Sequence, residues 1–161
     1  SQLKLIENVV ESNKKRKKVM FKKILRALPK NNKSKTVSVL GLTFKPNTDD
    51  MRDSPSLEII PSLINKKCNV KVYDPEGMKE AKKYLSSYKN KISWCKDPYD
   101  ASKKSDALVI LTEWNQFRAL DLLKLKKLLR TKIIIDLRNI YNPEEIKNEG
   151  FEYHSIGRGD L

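Results

Sequence analysis

Glycine, histidine and cysteine are scarce in this chain, and each shortage removes a class of chemistry. Five glycines in 161 residues leave no G-x-G-x-x-G and no Walker loop. Gly41 is the only glycine in the first loop, so a complete dinucleotide site or P-loop is not encoded. The single histidine, His154, cannot complete a zinc site with Cys68 and Cys95 at any familiar spacing. No Ser-His-Asp or Cys-His arrangement is present, so nucleophilic catalysis lacks a base. The two cysteines read as buried or half-buried thiols of a reducing compartment. No stretch approaches the roughly 20 apolar residues that a spanning helix needs, and no apolar signal core opens the chain. The expectation is a cytoplasmic protein without a membrane partner.

Acidic residues are also few in the first part of the chain. Residues 1–35 hold twelve Lys or Arg against Glu7 and Glu11, which is +10 of a total net charge of +14. Clustered lysine is the electrostatic footprint of a phosphate-backbone binder. Yet the run Lys14, Lys15, Arg16, Lys17, Lys18 has no interleaved aromatic residue on which a base could stack. It reads as a solvated helix face, with nucleic-acid binding the alternative from another functional class.

Leu3, Ile6, Val9, Val10, Val19, Met20, Ile24, Leu25 and Leu28 recur mostly at helical spacing, which predicts one long helix over 3–28, ended by Pro29. Its polar middle, Glu11 to Lys18, has nothing to bury, as in a connecting helix that packs at its ends. A polar linker from Asn31 to Ser34 follows, so residues 1–34 read as connecting helix and linker, and 35–161 as a compact domain. There the pattern alternates. Strands are predicted at 36–41, 69–73, 91–95, 107–112, 132–136 and 151–156. Helices are predicted at 55–66, 76–87, 97–104, 118–130 and 143–149. The continuously apolar strands, Ala107 to Leu111 and Ile133 to Ile135, match strands covered on both faces. The fold class is therefore α/β: a Rossmann-like three-layer domain with a mainly parallel sheet, preceded by a long helix.

In such sheets ligands sit beyond the carboxyl ends of the strands. The first such segment is GLTFKPNTDDMRDSP, from Gly41 to Pro55. Pro46 stiffens the backbone, Asn47 to Asp50 form a turn, and Ser54-Pro55 is a helix start. Phe44 can cover a base or sugar, while Lys45 and Arg52 suit anionic groups. The other segments bring Asp74 and Pro75, Thr112 to Trp114, and Asp136, Arg138 and Asn139. Asp74-Pro75 is most simply a turn, and Trp114 and Phe117 are packing residues at a rim. Arg138 either binds phosphate or pairs with Asp136; spacing alone leaves both open. These residues make an anion-binding cleft without a catalytic apparatus.

The same stretches carry a resemblance. The segment from Gly41 to Pro55, Val72-Tyr-Asp-Pro, Asp106-Ala-Leu-Val-Ile-Leu-Thr-Glu-Trp-Asn-Gln-Phe and Asp136-Leu-Arg-Asn-Ile-Tyr resemble the carboxyl-terminal UDP-binding domain of the UDP-glucose 6-dehydrogenases. The closing Tyr153-His-Ser-Ile-Gly-Arg is similar to that family's ending. The resemblance implies that Phe44, Lys45 and Arg138 contact the substrate UDP-glucose and that Arg52 contacts the cofactor NAD across a cleft. It implies an amino-terminal NAD-binding domain as partner, and a homodimer built on the long helix in the full-length enzyme. Family members oxidise UDP-glucose to UDP-glucuronate in two hydride transfers, through a thiohemiacetal and a thioester on a catalytic cysteine. Neither Cys68 nor Cys95 stands in that cysteine's motif, so this chain alone is expected to be inactive. Relatives acting on UDP-N-acetylmannosamine or GDP-mannose share the architecture; Thr112-Glu113-Trp114 favours UDP-glucose.

Overall fold

The computed structural model describes residues 2–31 and 33–157. Asn32 of the linker and Arg158 of the last motif lie outside the described residues. The chain begins with α1 (Gln2–Ala27), then runs β1 (Thr36–Leu40), α2 (Ser56–Asn65), β2 (Asn69–Tyr73), α3 (Met78–Tyr84), β3 (Ile92–Trp94) and α4 (Pro98–Ser102). It continues through β4 (Ala107–Ile110), α5 (Asn115–Arg118), α6 (Leu122–Leu128), β5 (Ile133–Asp136), α7 (Pro143–Asn148) and β6 (Glu152–Ser155). All six strands pair in parallel, in the order β3-β2-β1-β4-β5-β6. The predicted α/β class, parallel sheet and leading long helix are present. The sheet is parallel throughout.

Successive strand residues point to opposite faces, so each central strand supplies two cores. Ala107 and Val109 of β4 join Val37, Val39, Ile133 and Ile135 under α1, α2 and α3. Leu108 and Ile110 join Leu40 and Ile134 under α4 to α7, with Phe117 and Leu125 fully buried. This double burial is why β4 and β5 read as unbroken apolar runs.

The helix boundaries show where local chemistry overrides periodicity. One helix over 118–130 is predicted, but the chain breaks between α5 and α6. Asp121 adopts extended backbone and its carboxylate accepts from Lys124 N at 3.1 Å, which starts a new helix there. The predicted 76–87 helix is α3 followed by a 3₁₀ turn over Ser86–Lys91. The predicted 97–104 helix ends early, at Ser102, because Lys103 turns out of the helix with ψ 123 and Lys104 follows with φ 59. Ser54 does act as a cap: its hydroxyl accepts from Ser56 N at 3.3 Å, while the regular helix begins one residue after Pro55.

α1 departs from expectation at one end. Met20, Ile24 and Ala27 bury against the sheet, and Lys17 reaches Glu58 at 3.8 Å. The first turns do not pack: Leu3, Leu5, Ile6, Val9 and Val10 are all exposed. Burial against the domain anchors only the carboxyl-terminal half of this helix.

Candidate functional site: a cleft at the strand carboxyl ends

The strand order reverses between β1 and β4, and connections leaving on opposite faces open a crevice beyond their carboxyl ends. Gly41 forms its floor. At φ +95, a Cβ there would stand 2.5 Å from the backbone nitrogen, Cβ and Oγ1 of Thr112. Only glycine lets the two strand ends approach this closely. Thr112 Oγ1 then donates to the Thr43 carbonyl at 2.7 Å, tying the first loop to the third.

Two buried aspartates shape the loops. Asp74 accepts from Leu42 N (2.7 Å), Thr43 N (3.1 Å) and Thr43 Oγ1 (3.2 Å) through Oδ2. Its Oδ1 accepts from Glu76 N (3.0 Å) and Gly77 N (2.7 Å). With both oxygens committed, Asp74 is a loop organiser, as the turn reading anticipates. Asp136 does the same on the far side, accepting from Arg138 N (3.1 Å), Tyr141 N (3.0 Å) and Tyr153 Oη (2.7 Å). The Tyr141 hydroxyl donates to the Phe117 carbonyl, and burial pushes its pKa well above the ordinary tyrosine value. Asn139 serves the fold: its amide donates to the Ile156 carbonyl at 2.7 Å and accepts from Ile156 N at 3.2 Å.

Four predicted site residues remain at the surface of this frame. Phe44 is 49% exposed although it is aromatic, so it presents a free apolar face. Lys45 is exposed; its carbonyl accepts from Thr43 Oγ1 at 3.0 Å, and its ammonium makes no hydrogen bond or ion pair among the described residues. Arg52 donates from Nε and Nη2 to the two oxygens of Asp50, each at 3.0 Å, and Nη1 makes no hydrogen bond among the described residues. Those hydrogen bonds, with the charges of Arg52 and Lys45, push the Asp50 carboxyl down to about 2. The guanidinium of Arg138 pairs with Glu113 and not with Asp136, which takes only the backbone N–H of Arg138. Its Nε donates to Glu113 Oε2 at 2.7 Å and its Nη2 bonds the same oxygen. Nη1 of Arg138 likewise makes no hydrogen bond among the described residues.

The Glu113 pairing follows from strand register. Ile110 lies opposite Asp136, so the residues just past those strand ends, Glu113 and Arg138, become neighbours. Sequence spacing does not disclose which strands adjoin. Trp114 and Phe117 prove to be packing residues in the second core. Trp114 also walls a polar recess of about 340 Å³ with Asn47, Thr48, Asp49 and Glu76. In the sequence Asn47, Thr48 and Asp49 read only as a turn and Glu76 as a helix start, so nothing there marks the four as lining one recess.

No group of three or more His, Cys, Asp or Glu able to hold a metal ion occurs among the described residues. Burial raises the pKa of both thiols, Cys68 and Cys95, so neither is an activated nucleophile. No helix is long and apolar enough to cross a membrane among the described residues.

A family model for the UDP binding domain of the UDP-glucose/GDP-mannose dehydrogenase family matches residues 38–143, the span that holds this cleft. The chain belongs to that family. It is 46% identical over 158 residues to a UDP-glucose 6-dehydrogenase of Rhizobium meliloti (strain 1021), covering 98% of this chain and 35% of that enzyme. It is 43% identical over 155 residues to the UDP-glucose 6-dehydrogenase TuaD of Bacillus subtilis (strain 168), covering 96% and 33%. Among solved structures, a UDP-glucose dehydrogenase from the archaeon Pyrobaculum islandicum superposes with TM-score 0.65 at 27% identity, over 94% of this chain and 31% of that one. A UDP-D-ManNAc dehydrogenase from Pyrococcus horikoshii gives TM-score 0.63 at 31% identity, over 80% and 27%. The chain thus spans about a third of the length of the curated relatives it matches. In family terms, the cleft built on Gly41, Asp74 and Asp136 lies within the UDP binding domain.

Proposed function

We propose that this chain is the UDP-sugar-binding domain of an NAD-dependent UDP-glucose 6-dehydrogenase, a cytoplasmic supplier of UDP-glucuronate for polysaccharide synthesis. The observation that carries the reading is the family match across 38–143, over a cleft whose exposed cations stand at strand carboxyl ends. Lys45 offers an uncommitted ammonium to the diphosphate, and Arg138, steadied by Glu113, offers Nη1. Phe44 covers the uracil or sugar with its exposed ring. Each contact binds or orients the substrate; none moves a proton or forms a bond.

NAD accepts the hydride when bound. This chain fits it at a single point: Arg52 of the first loop, its side chain 78% exposed, can offer Nη1 to an anionic group of the cofactor. The glycine that would cradle a pyrophosphate is committed to the contact of Gly41 with Thr112. The remaining dinucleotide contacts and the catalytic cysteine belong to an NAD-binding domain outside these 161 residues, and residues 1–34 are the helix and linker that join it. The exposed apolar turn of Leu5, Ile6, Val9 and Val10 supports a homodimer of the whole enzyme through this helix.

Calorimetric titration of UDP and UDP-glucose into the chain tests the assignment. Saturable binding is expected for both, with loss in the Lys45→Ala, Arg138→Ala double variant and no NADH formation by the chain alone. Equal binding by the double variant would place the substrate elsewhere. The likeness to a UDP-D-ManNAc dehydrogenase supports UDP-N-acetylmannosamine as a second substrate to include. Tighter binding of it than of UDP-glucose would change the sugar assigned.

A further inference from the structure

The opposite end of the sheet, where the strands begin, carries a second concentration of charge that the cleft does not use. Two adjoining recesses lie there, of about 540 and 520 Å³, sharing Leu28, Pro29 and Lys30 as a common wall just beyond α1. The first is lined by Arg26, Lys30 and Lys132, at the starts of β5 and β6. The second is lined by Lys30, Lys33, Lys35, Lys66 and Lys67, at the starts of β1 and β2. Arg26, Lys33, Lys66, Lys67 and Lys132 make no side-chain hydrogen bond or ion pair among the described residues. Lys126 adds a further ammonium, 3.1 Å from where a Cβ on Gly150 would sit in the first recess.

Cations at this end of an α/β sheet have an ordinary explanation, because helices finish there and their terminal carbonyls are electronegative. Lys30 shows that use, donating to the Leu25 carbonyl at 3.0 Å, while Lys35 donates to the Asn31 carbonyl of the linker at 3.1 Å. The explanation is too small for the rest. Three helix ends, of α1, α2 and α7, supply about half a negative charge each. Among the described residues Glu152 is the one carboxylate lining either recess, and it is engaged by His154 at 2.8 Å. Buried Asp106 at the start of β4 is paired with Arg130 at 3.3 Å. Seven lining cations therefore keep an excess of about four positive charges at low ionic strength.

We propose that these two recesses form a binding site for a linear phosphoryl chain, as carried by a nucleoside triphosphate or by inorganic polyphosphate. The ligand class follows from the donors. Six of the seven lining cations are lysines, point charges suited to phosphate oxygens, with Arg26 the only planar fork available for a carboxylate. They are spread over two recesses joined at Lys30, so several phosphoryl groups are needed to meet them. No aromatic residue lines either recess among the described residues, so bases have nothing to stack on.

Calorimetric titration of tripolyphosphate, with ATP as a parallel arm, tests the site on the chain at low salt. One saturable site is expected. It should weaken by about tenfold or more in the Lys33→Gln, Lys66→Gln, Lys132→Gln variant, the loss of at least one charge-assisted contact. The matching Lys→Arg variant should retain binding, which separates lost charge from lost fold. UDP binding in the cleft should be unchanged in both. Tighter binding of ATP would assign the nucleotide as the source, and tighter binding of tripolyphosphate the free polymer; either keeps the site. Undiminished tripolyphosphate binding by the Gln variant, or its loss in the Lys45→Ala, Arg138→Ala variant, would overturn the proposal. So would displacement of tripolyphosphate by duplex DNA at equal phosphate concentration.

Discussion

Replacing Gly41 by alanine isolates what the cleft floor requires. At φ +95 any side chain is strained, and the new Cβ would stand 2.5 Å from three atoms of Thr112, one of them backbone. Backbone cannot swing aside as a side-chain tip can, so β1 and β4 must part by roughly 1 Å to restore ordinary contact. That movement weakens the Leu111 N to Leu40 carbonyl bond at 2.9 Å and the Thr112 to Thr43 bond at 2.7 Å. The two bonds are worth about 1 kcal/mol each, and the strained φ costs about 1–2 kcal/mol more. A total near 3 kcal/mol corresponds to a fall in Tm of roughly 6–12 °C for a domain of this size. Gly157 is the control: it also has positive φ, at 68, but no described residue lies within 4 Å of its would-be Cβ. Gly157→Ala should cost only about 1 kcal/mol, because reduced freedom of the unfolded chain offsets part of the strain. Urea denaturation of the two variants compares them directly. If Gly41→Ala is no more destabilising than Gly157→Ala, the close approach of β1 and β4 is not what holds the cleft floor.

Other substitutions probe the loops. Lys45→Ala should leave Tm unchanged, because the ammonium has no folded-state bond, and should weaken UDP binding by about 10-fold or more by calorimetry; an unaltered affinity would remove Lys45 from the diphosphate. Asp74→Asn replaces one accepting oxygen by a donor that faces N–H groups, so a loss of about 2–3 kcal/mol in urea unfolding is expected, together with lost UDP binding. A variant as stable as the parent would show that Asp74 does not organise the first two loops. The Asp50 carboxyl, held at about 2 by Arg52, should titrate toward its ordinary 3.8 in Arg52→Ala, followed by carbon NMR. Since its folded pKa is depressed, its contribution to loop order is complete above about pH 4 and is lost as pH falls toward 2. An Asp50 midpoint indifferent to Arg52→Ala would mean that the pair does not exist in solution.

Much of the architecture was legible because period and burial coincide. Strands buried on both faces leave unbroken apolar runs, and β4 and β5 announced themselves that way. Helix ends were read less well. The break between α5 and α6 depends on whether Asp121 caps a helix or continues one, a choice settled by tertiary contacts such as Asp121 N to the Tyr99 hydroxyl at 2.9 Å. In α1, amphipathic spacing shows that a face wants cover but not what covers it, and within this chain only the carboxyl-terminal half is covered.

The sequence alone determined that this chain is a doubly covered parallel sheet whose clustered polar and aromatic residues gather in the loops after β1, β2, β4 and β5, because periodicity and turn chemistry are local properties. It also determined which residues carry charge there, Lys45, Arg52 and Arg138. Tertiary structure decided their roles. Strand adjacency gave Arg138 to Glu113, the reach of one loop to another made Asp74 and Asn139 structural, and the close approach of strand ends explained Gly41. Those are contacts between residues 25 or more apart in most cases, fixed by strand order and register, which no local pattern encodes.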